Sequence, residues 1–267
     1  MGSQRRFPGL RALVTGASSG IGAAVSRTLV FQGASVVGTG RDAKALGRIA
    51  GLAGGVPCDL TLPGAPGEVV SRAVTILGGL DLIVSSAGSG WAGPFEALPP
   101  DELDRLLDLN LRAPMHLARA AGPYLRHSPV GGQLVLLGSI AGLVGVAQEV
   151  AYGTAKAGLK GLADGLRAEW DGPRHMAARD GAGPVTVTLV SPGPVDTAFF
   201  ARRNKPYARN WPKPAPVDVV ATCVMDAIEH RRQDVVIPTW LVPAARLNGG
   251  LPSVYRLLQR ATGRLAN

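Results

Sequence analysis

The chain has 267 residues, of which 46% are hydrophobic and 18% charged, and its net charge is +9. These values indicate a folded globular protein and exclude a largely disordered chain. The basic residues are dispersed along the sequence, so we expect no nucleic-acid partner. The longest apolar run, 134–147, is too short to span a bilayer.

The two cysteines, Cys58 and Cys223, lie far apart in the sequence, and no group of cysteines and histidines has zinc-ligand spacing. The sequence therefore predicts neither a disulfide nor a metal site. Free cysteines favour a reducing compartment, and we expect a cytoplasmic protein.

Short segments rich in Val, Ile and Leu alternate with longer segments of helical periodicity. Strands are predicted at 12–15, 35–39, 80–85, 133–137, 185–190 and 235–237. Helices are predicted at 21–32, 65–77, 101–126, 151–170 and 216–230, with Asp101 as the N-cap of the third. The pattern is typical of the α/β class: a doubly wound, Rossmann-type parallel sheet with helices on both faces, in a single domain. We place this domain at 1–240 and a C-terminal extension at 241–267.

A glycine-rich turn follows the first predicted strand and opens the first predicted helix. It runs from Val14 to Gly22 and carries Gly16, Gly20 and Gly22. Glycines let the backbone turn tightly and approach a pyrophosphate, which the free N–H groups of a helix N-terminus attract. The pattern in this position predicts a dinucleotide-binding turn, although a turn without a ligand could carry the same glycines.

The residues after the second strand indicate which dinucleotide is bound. Gly40 stands where an acidic residue would hold the ribose hydroxyls of NAD, whereas Arg41 can pair with the 2′-phosphate of NADP. We therefore predict NADP(H) as the cofactor. Asp42 leaves room for NAD, and Arg41 is alternatively a solvated surface residue.

A tyrosine and a lysine four residues apart, Tyr152 and Lys156, fall on a predicted helix. Residues four apart share a helix face, so the ammonium group can favour the phenolate and lower the pKa of the phenol. Such a tyrosine can act as a general acid or base. Ser139, just past a predicted strand, can stabilise charge on a substrate carbonyl oxygen.

Together these residues resemble the short-chain dehydrogenase/reductase family over about residues 10 to 240. The resemblance implies a catalytic tetrad of Asn110, Ser139, Tyr152 and Lys156. In the family the asparagine kinks its helix and holds a water that relays protons to the lysine. One departure is the pair of serines that opens the segment Ser85-Ser86-Ala87-Gly88, where the family usually has two asparagines that help to hold the sheet.

The resemblance also implies how the cofactor is held. Asp59 is expected to contact the adenine ring, and the Val195 backbone and Thr197 side chain are expected to hold the nicotinamide carboxamide. The full set of expected cofactor-binding residues is Gly16, Ser18, Ser19, Gly20, Ile21, Gly22, Arg41, Asp59, Ala87, Gly88, Tyr152, Lys156, Pro192, Gly193, Val195 and Thr197.

The implied function is an NADP(H)-dependent oxidoreductase that interconverts a carbonyl and an alcohol by hydride transfer, without a metal. Tyr152 would be the proton donor or acceptor. The alternatives are a catalytically idle NADP(H)-binding sensor or scaffold, and a different reaction on the same fold, such as epimerisation or dehydration. Relatives with those reactions usually have a larger substrate domain than this chain provides.

A lipophilic small molecule is the expected substrate, with the loop at 195–216 as a lid. The candidate pocket residues are Gly90, Trp91, Phe95, Leu143, Val144, Val146, Phe199 and Phe200, which could equally be core or interface residues. The resemblance implies a homodimer or homotetramer formed through the helices at 101–126 and 151–170. The C-terminal extension is basic and amphipathic; it can contact a membrane surface, but a helix packed on its own domain is the favoured interpretation.

Overall fold

The computed structural model describes residues 5–170, 183–208, 211–251, 253–255 and 257. Its central sheet consists of β1 (Arg11–Thr15), β2 (Ser35–Gly40), β3 (Gly54–Pro57), β4 (Leu82–Ser85), β5 (Gln133–Leu137), β6 (Thr186–Pro192) and β9 (Asp234–Ile237). All neighbours in this seven-stranded sheet are parallel, in the order β3-β2-β1-β4-β5-β6-β9. A small second sheet pairs β7 (Val195–Asp196) with β8 (Ala215–Pro216). The predicted doubly wound α/β fold is confirmed.

Helices cover both faces of the central sheet. They are α1 (Gly20–Phe31), α2 (Ala43–Gly47), α3 (Ala65–Leu77), α4 (Pro100–Leu107), α5 (Ala113–Arg126), α6 (Val150–Trp170), α7 (Phe199–Arg202), α8 (Val217–Glu229) and α9 (Val242–Gly250). None of the helices within the described ranges is long and apolar enough to cross a membrane.

The core forms two layers, one on each face of the sheet. Residues of α1 and α8 pack on one face, and residues of α3, α5 and α6 pack on the other. Along β1, Ala12 and Val14 belong to the first layer and Leu13 belongs to the second. Because both faces are covered, successive strand residues are mostly apolar, which explains the short continuous hydrophobic runs in the sequence.

Three sequence-based assignments differ from the structure. Asp101 is not an N-cap: α4 begins at Pro100, whose fixed backbone suits a first helical position, and Asp101 lies in the first turn, where its charge complements the helix dipole. The helix predicted at 101–126 is divided, because a π-helical turn at Asp108–Arg112 separates α4 from α5. The sequence also missed β3, since Gly54 and Gly55 replace the branched apolar residues that mark strands.

The connections from β1 and from β4 run to opposite sides of the sheet, although these two strands are neighbours. In open parallel sheets such a reversal leaves a crevice at the carboxyl ends of the strands. The glycine-rich turn after β1 and the segment Ser85–Gly88 after β4 both lie at this crevice.

Candidate active site

The glycine-rich turn adopts a backbone that requires glycine. Gly16 and Gly20 have φ angles of +67° and +55°, in the left-handed region. A Cβ atom on Gly22 would lie 2.3 Å from the Gly16 carbonyl oxygen. Ser19 is the N-cap of α1, but its hydroxyl does not cap the helix, and the first turn of α1 contains no acidic residue. The positive end of α1 therefore faces the crevice and can hold an anion.

Thr15, at the end of β1, joins the glycine-rich turn to the neighbouring strand. Its Oγ1 accepts hydrogen bonds from the backbone nitrogens of Ser86 and Ala87, both at 3.1 Å. The Ser85 hydroxyl is buried and has no hydrogen-bond partner among the described residues. Thr15 thus holds the backbone of this segment, whereas Ser85, which replaces the first of the family's two asparagines, adds no bond.

Ser139, Tyr152 and Lys156 meet where β5 ends beside α6. Ser139 Oγ accepts from the Ala141 nitrogen at 3.1 Å, and its hydroxyl is near enough to the Tyr152 phenol to act on the pKa of that group. Lys156 Nζ donates to the Leu137 carbonyl oxygen at 2.8 Å and lies 5.7 Å from the centre of the Tyr152 ring. The predicted juxtaposition of the serine, tyrosine and lysine is present in the structure.

Asn110 occupies the π-helical turn and is fully buried. Its Nδ2 donates to the carbonyl oxygens of Leu106 at 3.0 Å and Ser89 at 2.9 Å, while its Oδ1 is buried with no hydrogen-bond partner among the described residues. A Cβ atom on Gly88 would lie 2.7 Å from that Oδ1 and 3.6 Å from Lys156 Nζ. A larger residue at 88 would therefore displace the Asn110 side chain, whereas the distance to Lys156 is an ordinary contact.

Burial dominates the ionisation of the tyrosine and the lysine. It raises the pKa of Tyr152 to about 12, against the opposing effect of the nearby Ser139 hydroxyl. Burial also lowers the pKa of Lys156 to about 8. The expectation that Lys156 lowers the pKa of the phenol is not met in this arrangement, because the ammonium group is bonded to the Leu137 carbonyl and the phenol is desolvated. Tyr152 therefore carries its proton at neutral pH.

Arg41 follows β2 and Asp59 follows β3, so both lie past the carboxyl ends of neighbouring parallel strands. Arg41 is exposed just past β2, and its charge is close enough to act on Asp59. Burial acts to raise the pKa of Asp59, but hydrogen bonds from Thr61, together with the charges of Arg41 and Arg105, hold it below its usual value. Asp42 Oδ1 accepts from the Ala45 nitrogen at 2.9 Å and caps α2.

A cleft of about 1550 Å³ connects these parts. Of the expected cofactor-binding and catalytic residues, the cleft is lined by Gly16, Ser19, Gly20, Ile21, Ala87, Gly88, Asn110, Ser139, Tyr152, Lys156, Pro192, Gly193, Val195 and Thr197. Ser18, Gly22, Arg41 and Asp59 do not contribute to this lining. The space, the left-handed glycines and the uncapped end of α1 fit an extended nicotinamide dinucleotide.

Aromatic residues from the loop at 195–216 reach the catalytic tyrosine. The ring centres of Phe199 and Tyr152 are 5.5 Å apart, and those of Phe199 and Phe200 are 5.6 Å apart. A Cβ atom on Gly90 would lie 2.4 Å from the Phe199 ring. Val144, Val146, Phe199 and Phe200 line the cleft.

Three other candidate pocket residues lie elsewhere. Trp91 packs against the small apolar cluster around Leu106, and Phe95 is largely exposed. The Leu143 carbonyl accepts from Asn248 Nδ2 at 2.9 Å, so that residue contacts the C-terminal segment.

Two charged residues of the cleft were not predicted from the sequence: Glu149, just before α6, and Arg202, at the end of α7. Nothing in the local pattern marks Arg202, because the loop that carries it has no regular periodicity. The structure finds no group of metal-binding side chains among the residues it describes. Of the extension, Leu251, Val254 and Leu257 are exposed, while Arg256, Leu258, Arg260 and Arg264 lie outside the described residues.

Comparison with protein-family models matches residues 11–208 to the family described as short chain dehydrogenase. An uncharacterized oxidoreductase of Staphylococcus epidermidis is 32% identical over 208 residues, which cover 74% of this chain and 86% of the relative. The cyclic-di-GMP-binding biofilm dispersal mediator protein of Escherichia coli is 35% identical over 192 residues, which cover 72% of this chain and 75% of that protein.

Solved structures show the same fold. A short chain dehydrogenase from Burkholderia cenocepacia in complex with NADP has a TM-score of 0.73 at 29% identity and covers 87% of this chain and 97% of its own. A short chain dehydrogenase/reductase from Burkholderia phymatum in complex with NAD has a TM-score of 0.79 at 23% identity. The match covers 93% of this chain and 96% of the Burkholderia phymatum chain.

Proposed function

Because the chain belongs to the short-chain dehydrogenase/reductase family, we propose that it is an NADP(H)-dependent oxidoreductase that interconverts a carbonyl and an alcohol by hydride transfer. The observation that carries this proposal is the meeting of Ser139, Tyr152, Lys156 and Asn110 in the cleft that also contains the glycine-rich turn. A nicotinamide cofactor bound there would supply or accept the hydride.

In the reductive direction the protein's own residues handle the substrate oxygen. The Ser139 and Tyr152 hydroxyls, which both line the cleft, would hold the carbonyl oxygen and stabilise the negative charge that develops on it. Tyr152 would then give its proton to that oxygen as a general acid. A phenol with a pKa of about 12 keeps its proton at neutral pH, which suits a donor.

Lys156 and Asn110 would restore that proton. Lys156 Nζ bonds to the Leu137 carbonyl in the structure, and its three donors allow it to hold a cofactor ribose as well. The Oδ1 of Asn110, which has no hydrogen-bond partner among the described residues, and Lys156 Nζ both lie next to Gly88; this oxygen offers an acceptor for a water that would connect the lysine to solvent.

Three features of the residues after β2 support NADP(H) rather than NAD(H). A Cβ atom on Gly40 would lie 2.7 Å from Ser18 Oγ, so the position has no space for the acidic side chain that would bind a free ribose. Asp42 is engaged as the cap of α2. Arg41 is exposed and available to a 2′-phosphate. The Arg41→Gln variant should raise the Kd for NADPH about tenfold and leave the Kd for NADH unchanged.

The substrate side of the cleft supports a lipophilic carbonyl compound or alcohol. Val144, Val146, Phe199 and Phe200 give this part of the wall an apolar surface beside Tyr152. The loop that carries the two phenylalanines would act as a lid over the substrate.

The test is the loss of NADPH absorbance with a panel of ketones, aldehydes, quinones and steroid-like or long-chain carbonyl compounds, repeated with NADH. Turnover with apolar carbonyl compounds, faster with NADPH than with NADH, is the expected result. Tight NADPH binding without turnover across the panel would overturn the enzymatic proposal. It would favour a catalytically idle NADP(H)-binding sensor or scaffold; one relative of this chain is named for binding cyclic-di-GMP and not for a reaction.

We also propose a cytoplasmic homo-oligomer. Met115 and Tyr124 on α5 are exposed, and an apolar groove of about 630 Å³ between α5 and α6 includes Met115, Leu162 and Trp170. Light scattering should give a multiple of the 27.5 kDa chain mass. A monomer at micromolar concentration would contradict the proposed assembly.

A further inference from the structure

A lid arginine reaches across the cleft to the glycine-rich turn. Arg202 ends α7, and its Nη2 donates to the Ser19 hydroxyl at 3.1 Å. Both residues line the cleft. Arg202 forms no ion pair with any carboxylate of the residues that the structure describes. Its positive charge is therefore uncompensated on the protein side.

The electrostatics of this contact favour an anion. Ser19 is the N-cap of α1, yet its hydroxyl accepts from Arg202 instead of from the helix backbone. The first turn of α1 has no acidic residue, so the positive end of the helix dipole and the Arg202 guanidinium lie on the same side of the cleft. Two positive groups placed together without a counter-charge are stabilised when a negative group lies between them.

The three residues after Arg202 hold the lid in this position. Arg203 Nη1 pairs with Glu149 Oε1 at 2.7 Å, and this arginine side chain is only 7% exposed. Asn204 Oδ1 accepts from the Ala92 nitrogen at 2.8 Å, and Lys205 Nζ donates to Gln148 Oε1 at 2.9 Å. These contacts fix the end of α7 against the loops on the substrate side. Arg202 alone of the four points to the glycine-rich turn.

We propose that Arg202 is a cofactor-binding residue that contacts the pyrophosphate of the dinucleotide from the lid. This inference rests on the proposed binding of a nicotinamide dinucleotide. The pyrophosphate is expected at the N-terminus of α1, where the Ser19 hydroxyl and the helix amides converge. The guanidinium would donate to a phosphate oxygen there, and cofactor binding would hold the lid closed through the same contact.

The test uses the binding of NADPH and of NADH, measured by calorimetry on the full chain without substrate. Both dinucleotides carry the pyrophosphate, and only NADPH carries the 2′-phosphate. Arg202→Gln should therefore raise both dissociation constants by the same factor, about fivefold to tenfold, with a larger effect at low salt. Arg41→Gln should weaken NADPH binding alone. Lys213→Gln removes the same charge from an exposed position of the loop at 195–216, leaves the contacts that hold α7 intact, and should change neither constant.

Each outcome decides the inference. An Arg202→Gln variant that binds both dinucleotides like the wild type overturns the contact, while leaving the proposed function intact. A loss confined to NADPH would assign Arg202 to the 2′-phosphate and refute the pyrophosphate assignment. An equal loss in Lys213→Gln would attribute the effect to the net charge of the loop and refute a specific contact of Arg202. A wild-type protein that binds neither dinucleotide would overturn the proposed function together with this inference.

Discussion

Replacing the buried lysine of the cleft should make the cofactor-free protein more stable. Lys156 is 6% exposed, and burial lowers its pKa from 10.5 to about 8. That difference corresponds to about 3 kcal/mol of stability lost at neutral pH, because the folded chain must keep a desolvated charge. Lys156→Met removes the charge and keeps most of the volume. The lost hydrogen bond to Leu137 offsets about 1 kcal/mol, which leaves a net gain of about 2 kcal/mol.

The gain should depend on pH in a defined way. The pKa of Lys156 is lower in the folded chain than in the unfolded chain. The loss of folding stability caused by the buried charge is therefore complete below about pH 8, and it disappears as the pH rises from about 8 to 10.5 and the lysine loses its proton. Urea unfolding of wild type and variant across this range measures the difference. Lys160→Met is the control, because Lys160 lies one turn along α6, half-exposed and paired with Asp164. A Lys156→Met variant that is less stable than wild type at neutral pH would refute the reasoning, as would a gain that does not change with pH.

Two further changes test other parts of the account. Gly90→Ala places a methyl group 2.4 Å from the present position of the Phe199 ring, so the ring must move. We expect the KM values for the carbonyl panel to change while the Kd for NADPH stays the same. KM values equal to those of the wild type would show that Gly90 is not part of the substrate pocket. Asp81 is buried, and although burial acts to raise its pKa, hydrogen bonds from Arg11 and Ser128 lower it below 3.8. Asp81→Asn should cost about 3 kcal/mol in urea unfolding near neutral pH. The stability from the ionised carboxylate is present above its unfolded pKa and is lost as the pH falls through the folded pKa, so the two proteins should converge in acid; a constant difference would contradict this.

The sequence predicted those parts of the fold that depend on short-range patterns. Leu13 and Val14 are both apolar because each face of the sheet is covered by helices. The same pattern of consecutive apolar residues identified β1 and the other strands of the central sheet except β3. Strand β3 was not predicted, because Gly54 and Gly55 do not have this apolar pattern, although their backbones pair with β2. The division of the helix at 101–126 was expected from the resemblance only as a kink at Asn110, since the packing that produces a π-helical turn involves partners distant in sequence.

Ser139, Tyr152 and Lys156 could be predicted as site residues because their chemical types and their spacing in the sequence are sufficient to suggest a role in acid and base chemistry. The pKa values of the site could not be predicted from the sequence, because the pKa of Tyr152 depends on how completely the fold removes water from the phenol. Arg202 could not be identified from the sequence either. Its role depends on a contact with Ser19, 183 residues away, which only the folded lid creates.

The central claim is that Tyr152 is the proton donor or acceptor in a nicotinamide-dependent reaction. The most direct test measures kcat with the best carbonyl substrate, and the Kd for NADPH, in Tyr152→Phe. Tyr124→Phe, on the exposed face of α5, is the matched control. The account predicts a loss in kcat of at least about a hundredfold in Tyr152→Phe, a nearly unchanged Kd, and wild-type behaviour in the control. A Tyr152→Phe variant with near-normal kcat would contradict it.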